Sequence, residues 1–341
     1  MGDVAMTVPV IRNVLAQNPT LRITFVSNAF LAPLFEGLPG CTFHPAHLKD
    51  QHKGLGGMHR LYKELTATRK FDAVADLHNV LRSKILGFLF RAGGTRVVVL
   101  DKGRAEKKQL TRKENKDCRQ LTPMHERYQQ VFTELGLIAN GGGQAHSARQ
   151  AIPPVVVPVF SAGKPIIGVA PFAQYAEKMY PLDKMKSVVQ QLAAAGNVIL
   201  LFGGGEKEAA LLQQWEQEIF SVFNLAGRYS LRDELAIISN VNVMVSMDSA
   251  NMHFASIFGV PVVSVWGATH PFAGFYGWGQ AIENAVEIDL YCRPCSVFGN
   301  KPCYRGDHAC MNWLAEEGIV NKVSELLTST QSPGYTSITA Q

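Results

Sequence analysis

The feature of this sequence that most constrains its fold is the alternation of short apolar, β-rich runs with amphipathic helical stretches. This alternation is typical of βα units built around a parallel sheet. The predicted strands are Arg22–Ser27, Phe71–Asp76, Thr95–Leu100, Pro165–Ala170, Asn197–Phe202, Ser221–Leu225, Asn242–Ser246 and Val260–Trp266. The predicted helices include His125–Gly136, Leu182–Ala195, one that starts at Glu206, Leu231–Ile238 and one that ends at Phe258. We therefore predict an α/β protein made of Rossmann-like halves.

A chain of 341 residues is long enough for two domains that each bury a core. The stretch between residues 138 and 165 is rich in glycine and proline without a sustained period, as expected for a linker. We predict an N-terminal domain over 1–150, a linker over 151–164, a C-terminal domain over 165–328 and a disordered tail over 329–341. Ligands of such sheets bind outside the carboxyl ends of the strands, so we expect a site in the cleft between the domains.

The composition, 47% hydrophobic and 18% charged, is that of an ordinary globular protein. No apolar run approaches the roughly 18 residues of a membrane span. The N-terminus has no basic region ahead of an apolar stretch, as a signal peptide would. These features predict a cytoplasmic protein.

The positive charge is concentrated in one segment, Arg96–Arg119. It holds nine Lys or Arg against four Asp or Glu, which accounts for the whole formal charge of +5. Such a segment is either a solvated loop or a landing site for an anionic partner such as a phosphorylated lipid or an acidic sugar. No nucleic-acid-binding module accompanies it, so we expect no nucleic-acid partner.

Three glycines, Gly203–Gly205, follow a predicted strand and precede a predicted helix. Glycine lets backbone N–H groups approach a ligand, and a helix N-terminus favours anions. The spacing matches neither a dinucleotide-binding fingerprint nor a P-loop, and a tight turn would explain the run equally well. Glu206 either complements the helix dipole or accepts hydrogen bonds from ribose hydroxyls.

The segment "SMDSANMH" ends another predicted strand and begins a helix. Backbone N–H groups of Ser249–Met252 would suit a diphosphate, and Asp248 would suit sugar hydroxyls. His253 is either part of this site or a buried helix histidine. Lys178, which follows the first strand of the C-terminal half, either offers a point charge to phosphate or is simply solvated.

Four of the six cysteines lie within nineteen residues: Cys292, Cys295, Cys303 and Cys310. This composition fits a structural zinc site, although the second pair is spaced more widely than usual. The alternative is a set of reduced cysteines that pack a loop. No thiolate-stabilising surroundings are evident, so catalysis by these thiols is not expected.

The N-terminal segment "MGDVAMTVPVIRNVLAQ" is predicted to be a loop followed by a helix. Asp3 takes the N-cap position, and the apolar residues Val10, Ile11, Val14 and Leu15 recur at helical spacing.

Several of these segments together resemble glycosyltransferase family 9, the ADP-heptose:lipopolysaccharide heptosyltransferase family. The resemblance rests on "GDVAMTVPVIR", "DLHNVLRS", "YAEKMYP", "GGGEKE", "LAGRYSLRDELAIIS", "MDSANMHFASIFGVPVVSVWGATHP" and the cysteine-rich "CRPC" segment, and it runs from residue 1 to about residue 325. It implies a GT-B fold, in which two Rossmann-like domains face a central cleft. It also implies that the N-terminal domain binds the acceptor, the C-terminal domain binds a nucleotide-sugar, and transfer proceeds with inversion and without a metal or other cofactor.

By position, the resemblance makes Asp3 the catalytic base and Arg82 a basic acceptor-binding residue. On the donor side it assigns the diphosphate to Lys178, the ribose to Glu206 and the donor sugar to Asp248. The diphosphate would also meet the backbone amides of Ser249, Ala250, Asn251, Met252 and His253. Ala250 replaces the glycine of the family, and Ala173 and Gln174 stand where some members have threonines, so the donor is ADP-heptose or another nucleotide-sugar.

The resulting expectation is an inverting glycosyltransferase that extends the lipopolysaccharide core at the inner face of the inner membrane, as a peripheral protein. The basic segment Arg96–Arg119 would approach the anionic acceptor there. The alternatives are a nucleotide-sugar epimerase of GT-B fold and a catalytically inactive homologue that binds a sugar-nucleotide. In relatives a strand precedes the Gly2-Asp3 loop, so we also expect that this chain begins at an internal methionine of a longer reading frame and lacks the first strand of its N-terminal domain.

Overall fold

The computed structural model describes residues 1–139, 145–161 and 163–331. The chain divides into two compact units. The first contains Met1 and residues 3–106 and 122–145, and the second contains Gly2 and residues 107–121 and 146–341. Each unit is α/β with parallel strand pairing, as the alternating pattern predicts.

The first unit contains two separate two-stranded parallel sheets, β1 with β2 and β3 with β4. Its elements in chain order are α1 (Gly2–Gln17), β1 (Ile23–Ser27), β2 (Cys41–Pro45), α2 (Gly54–Thr68), β3 (Ala73–Asp76), α3 (Leu81–Ala92), β4 (Arg96–Val99) and, after α4, α5 (Met124–Glu134). The helix α4 (Arg104–Leu110) crosses from the first unit into the second. Strand β2 was not predicted, because its five residues include a histidine, a proline and two exposed positions.

The N-terminal helix begins two residues earlier than expected. Met1 is the N-cap of α1, so the prediction that Asp3 is the N-cap is wrong. Asp3 lies in the first turn instead, where the helix dipole favours a carboxylate. The apolar positions Val10, Ile11 and Val14 are buried as predicted, and they anchor the helix in the first unit.

The second unit is built on a six-stranded parallel sheet with the order β10-β9-β8-β5-β6-β7. Its strands are β5 (Ile166–Ala170), β6 (Val198–Leu201), β7 (Val222–Asn224), β8 (Val243–Met247), β9 (Val262–Val265) and β10 (Ala285–Val286). Its helices are α6 (Val157–Phe160), α7 (Leu182–Ala194), α8 (Glu206–Glu218), α9 (Leu231–Ile238), α10 (Ala250–Ile257), α11 (Ala309–Asn312) and α12 (Glu316–Gln331). The chain runs from β5 outward through β6 and β7, then returns to the other side of β5 with β8, β9 and β10. The switch point of this sheet therefore lies between β5 and β8, where ligands of such sheets bind.

The division between the two units falls after Ala145, within the glycine- and proline-rich stretch, and residues 107–121 belong to the second unit. Backbone hydrogen bonds from Ser147 to the Ile257 carbonyl (2.7 Å) and from Gln150 to the Ser239 hydroxyl (2.9 Å) attach the segment after the boundary to the second unit.

At the C-terminus, α12 continues to Gln331, so the first residues of the predicted disordered tail are helical. The rest of that tail lies outside the described residues. No helix in the part of the chain that the structure describes is long and apolar enough to cross a membrane.

Candidate functional site

An ion pair occupies the switch point of the second unit. Lys178 lies in a short 3-10 helix after β5, and Asp248 directly follows β8. The Lys178 Nζ atom is 2.9 Å from Asp248 Oδ2, and the two side chains are only 14% and 9% exposed. The sequence placed each residue at the carboxyl end of a strand, and the fold brings them together because β5 and β8 are neighbours.

Asp248 has a second partner that the sequence reasoning missed. The Thr269 hydroxyl donates a hydrogen bond to Asp248 Oδ2 (2.8 Å), and Thr269 is almost fully buried. Thr269 follows β9, the next strand in the sheet, so its position at a third strand end was the available signal. The carboxylate is thus held by an ammonium and a hydroxyl, both on one oxygen.

The loop that carries Thr269 is braced by Arg293, which is buried. Its guanidinium donates to the carbonyls of Gly267 (2.6 Å) and Thr269 (3.1 Å) and to Glu287 Oε2 (2.6 Å). Burial by itself would raise the pKa of Glu287, but the hydrogen bonds from His270 and Arg293 hold it below its ordinary value. Glu287 therefore stays ionised at neutral pH and keeps Arg293 in place.

The aliphatic part of Lys178 packs against Gly299. A Cβ atom at Gly299 would collide with the Lys178 side chain, and the backbone there is left-handed, with φ of 73°. The Ser296 hydroxyl accepts a hydrogen bond from the Gly299 N–H (2.9 Å) and fixes the loop. Glycine is thus required where this loop covers the lysine.

The predicted diphosphate-binding turn is the start of α10. Ser249 is the N-cap, and its hydroxyl is 3.1 Å from the Ser246 hydroxyl. The first N–H groups of a helix have no partner within the helix, and they favour anions. Of the residues assigned to this turn, Ala250 and Asn251 are half-buried, whereas Met252 and His253 are buried.

In the glycine turn before α8, the acid that accepts a backbone hydrogen bond is Glu208 and not Glu206, to which the sequence assigned a role. The Gly204 N–H donates to Glu208 Oε2 (2.7 Å), so Glu208 closes the turn. Gly205 is the N-cap, with φ of 81°. Glu206 lies exposed in the first turn of α8. The ribose role of Glu206 stays a prediction.

The four clustered cysteines line one small pocket in the second unit, together with Glu177, Tyr304 and His308. All four are free thiols. Burial raises the pKa of Cys310 to about 11, and it also raises the pKa of Cys295. Among the residues described, no group of three or more His, Cys, Asp or Glu side chains is arranged to hold a metal ion. The zinc interpretation of these cysteines stays a prediction.

A second group of charged residues lies in the first unit, at the carboxyl ends of β3 and β4. Burial lowers the pKa of His78, the Lys102 ammonium adds to this effect, and the Asp3 carboxylate opposes it. Burial likewise lowers the pKa of Lys102, again opposed by Asp3. The Tyr128 hydroxyl donates to the backbone carbonyl of Asp3 (3.5 Å), and Arg82 lies exposed in the first turn of α3. Asp3, which is exposed, therefore interacts electrostatically with His78 and Lys102 of its own unit.

A tight turn after β3 leaves two buried oxygen atoms without partners. Asp76 Oδ1 accepts hydrogen bonds from the backbone N–H groups of His78 (2.9 Å) and Asn79 (2.8 Å), and Asn79 has a left-handed backbone. Asp76 Oδ2 and Asn79 Oδ1 are buried and accept no hydrogen bond within the described chain. Buried acceptors of this kind are usually satisfied, so these two atoms indicate a ligand or ordered water.

Two cations of the basic segment Arg96–Arg119 take part in packing within the second unit. Lys107 is buried, with its ammonium 4.2 Å from the centre of the Phe275 ring, and Lys116 donates to the carbonyls of Cys292 and Pro294. Both belong to the second unit, whereas Lys102 belongs to the first. The expectation of a landing site for an anionic partner along this segment stays a prediction, although Lys107 and Lys116 are engaged in packing.

The family model for glycosyltransferase family 9 (heptosyltransferase) matches residues 58–302, a span that includes the Lys178 and Asp248 pair. The chain belongs to this family. A curated relative is lipooligosaccharide heptosyltransferase 2 of Campylobacter jejuni, which is 25% identical over 120 residues. That alignment covers 35% of this chain and 36% of the relative, about a third of each.

Two solved structures share the fold over nearly the whole chain. A family 9 glycosyltransferase from Veillonella parvula has a TM-score of 0.75 at 21% identity, covering 96% of this chain and 95% of its own. The ADP-heptose lipopolysaccharide heptosyltransferase II of Escherichia coli has a TM-score of 0.67 at 19% identity, covering 97% of both chains. These likenesses confirm the predicted GT-B fold class. At such identities they show the fold alone.

Proposed function

We propose that this family 9 protein is an inverting heptosyltransferase that moves a heptose from ADP-heptose onto an acceptor of the lipopolysaccharide core. The observation that carries this proposal is the Lys178–Asp248 pair at the switch point between β5 and β8, beside the N-terminus of α10. The names of the relatives support the donor and the acceptor, since one acts on lipooligosaccharide and another on ADP-heptose.

On the donor side, the diphosphate needs positive charge and N–H donors, and the sugar needs hydrogen-bond acceptors. Lys178 supplies a point charge, the first turn of α10 supplies backbone N–H groups, and Asp248 accepts from sugar hydroxyls. Thr269 positions Asp248, because its hydroxyl fixes the carboxylate oxygen that also meets Lys178. Glu206 would accept from the ribose hydroxyls.

On the acceptor side, the residues of the first unit suit an acidic sugar. Lys102 and Arg82 are positive, and the buried Asp76 Oδ2 and Asn79 Oδ1 atoms would accept hydrogen bonds from its hydroxyls. This pairing of cations with unsatisfied acceptors fits a hydroxylated anion better than a neutral sugar or a bare phosphate.

The proposed reaction is a single displacement at the anomeric carbon. An acceptor hydroxyl oxygen forms a bond to that carbon, and the bond from the carbon to the diphosphate oxygen breaks, with its electron pair leaving on ADP. Asp3 takes the hydroxyl proton. Lys178 and the α10 amides stabilise the charge on the departing ADP, so the step needs neither a metal nor another cofactor. A lipid-linked acceptor places the enzyme at the inner face of the inner membrane.

The test is the variant Asp3→Asn, which keeps the shape of the side chain and removes the base. We expect transfer to be lost while ADP binding, measured by calorimetry, stays within a few fold of the wild type. Asp50→Asn, at an exposed position of the same unit, is the matched control and should retain both. Loss of ADP binding in Asp3→Asn, or normal transfer by it, would refute the role of Asp3.

A further inference from the structure

Helix α3 presents an exposed stripe that mixes large apolar and basic side chains. Leu81, Lys84, Phe88 and Arg91 recur at intervals of three and four, so they lie along one side of the helix. Leu81 is 75% exposed and Phe88 is 66% exposed. Exposed leucine and phenylalanine side chains on one side of a helix, two turns apart and interleaved with cations, indicate an interaction surface rather than a core.

The stripe is not needed for packing inside the first unit. The opposite side of α3 packs against α2, where the Phe90 ring meets the Tyr62 ring edge to face with the centroids 5.0 Å apart. Gly87 and Phe90 are buried on that side. Changes to the stripe should therefore leave the unit folded.

The surroundings of the stripe are strongly basic. The 24 residues from Leu77 to Leu100 contain four arginines or lysines and no aspartate or glutamate. The neighbouring helix α2 adds exposed Arg60 and Lys63. Its single acid, Glu64, accepts a hydrogen bond from the buried His52 (3.0 Å).

We propose that the α3 stripe docks the protein on an anionic phospholipid bilayer. Leu81 and Phe88 insert at the boundary between headgroups and acyl chains, while Lys84 and Arg91 contact lipid phosphates. The positive charge around the stripe selects this partner, because a bilayer offers both an apolar interior and a negative surface. The docking gives the proposed transferase access to a lipid-linked acceptor, and it rests on the proposed function only in that respect. This proposal locates the membrane contact on α3 and not on the segment Arg96–Arg119.

The experiment measures co-sedimentation of the full chain with vesicles of phosphatidylglycerol and phosphatidylethanolamine, and with vesicles of phosphatidylcholine alone. We expect binding to the first and little to the second. The double variant Leu81→Ser with Phe88→Ser should bind the anionic vesicles at least tenfold more weakly, and so should Lys84→Gln with Arg91→Gln. Matched controls are Phe220→Ser, whose phenylalanine is 89% exposed but follows Glu216 and Glu218, and Lys207→Gln on α8. Both controls should bind like the wild type.

Two results would overturn the proposal: a wild type that ignores anionic vesicles, or an apolar double variant that binds them unchanged. Sedimentation velocity tests whether the partner is a second copy of the chain. If the wild type is a dimer, the apolar double variant is a monomer and both bind the vesicles equally, the stripe binds a second copy and the proposal is wrong. Transfer to a deacylated acceptor, which needs no membrane, should be equal in the apolar variant and the wild type. If neither the wild type nor the apolar variant transfers the sugar while the wild type still binds the vesicles, the result counts against the proposed function and not against the docking surface.

Discussion

Replacing Thr269 with valine removes one hydrogen bond from Asp248 while keeping the size and shape of a buried side chain. The bond is short (2.8 Å) and its acceptor is a carboxylate. Hydrogen bonds to charged groups contribute about 1.5–3 kcal/mol to stability. The same oxygen keeps Lys178 at 2.9 Å, so the carboxylate is not left without a partner and the loss should not exceed this range. For a unit of this size, about 2–4 °C per kcal/mol gives a fall in Tm of about 3–12 °C.

Tryptophan fluorescence is the suitable assay, because all four tryptophans, Trp215, Trp266, Trp278 and Trp313, belong to the second unit. A thermal scan of the tryptophan emission therefore reports the unfolding of the unit that contains Thr269. The Michaelis constant for the donor should rise in Thr269→Val, since Asp248 is less firmly oriented, while that for the acceptor stays unchanged.

Thr269→Ser is the control, because it keeps the hydroxyl and loses only a methyl group. We expect it to retain most of the stability and the donor Michaelis constant of the wild type. If Thr269→Val and Thr269→Ser behave alike in both measurements, the hydroxyl does not position Asp248 and the reasoning about this site fails.

Two further predictions concern pH and metals. Burial raises the pKa of Glu234 to about 7, above its ordinary value of 4.5, so stability is fully present below pH 4.5 and falls as the pH rises towards 7. Glu234→Gln should therefore raise Tm more at pH 8 than at pH 5, with exposed Glu283→Gln as the control, and an equal effect at both pH values would contradict this assignment. Because Lys178 and the α10 amides are proposed to neutralise the leaving diphosphate, excess EDTA should change the transfer rate by less than about twofold, which corresponds to about 0.4 kcal/mol. Loss of activity that magnesium restores would refute a metal-independent reaction.

Much of the fold follows from local pattern. The helix Leu231–Ile238 has the bounds that the sequence predicts, and in the structure the Ser230 hydroxyl caps it by accepting from the Asp233 N–H. The buried strands of the second unit could be predicted because they are largely continuous apolar runs. Their observed ends differ from the predicted ends by one or two residues. Strand β10 was missed because two residues carry no periodicity, and its identity as a strand comes only from pairing with β9.

Individual residues of the site could be predicted from the sequence, but the contacts between them could not. Lys178 and Asp248 each follow a strand, but their contact depends on β5 and β8 being neighbours, which local sequence does not encode. Thr269 acts through one tertiary hydrogen bond, and its place after β9 is its only local signal. Arg293 acts through several tertiary hydrogen bonds, and nothing in its own segment distinguishes it from other loop residues. The net charge of Arg96–Arg119 likewise does not reveal that Lys107 and Lys116 take part in packing.

The most direct test of the proposed function is to incubate the purified chain with ADP-heptose and a lipopolysaccharide core acceptor and to follow ADP release and acceptor mass together. We predict that ADP appears only when the acceptor is present and that the acceptor gains the mass of one heptose residue. An acceptor of unchanged mass, with ADP-heptose either left intact or converted to an isomer, would contradict the assignment as a heptosyltransferase.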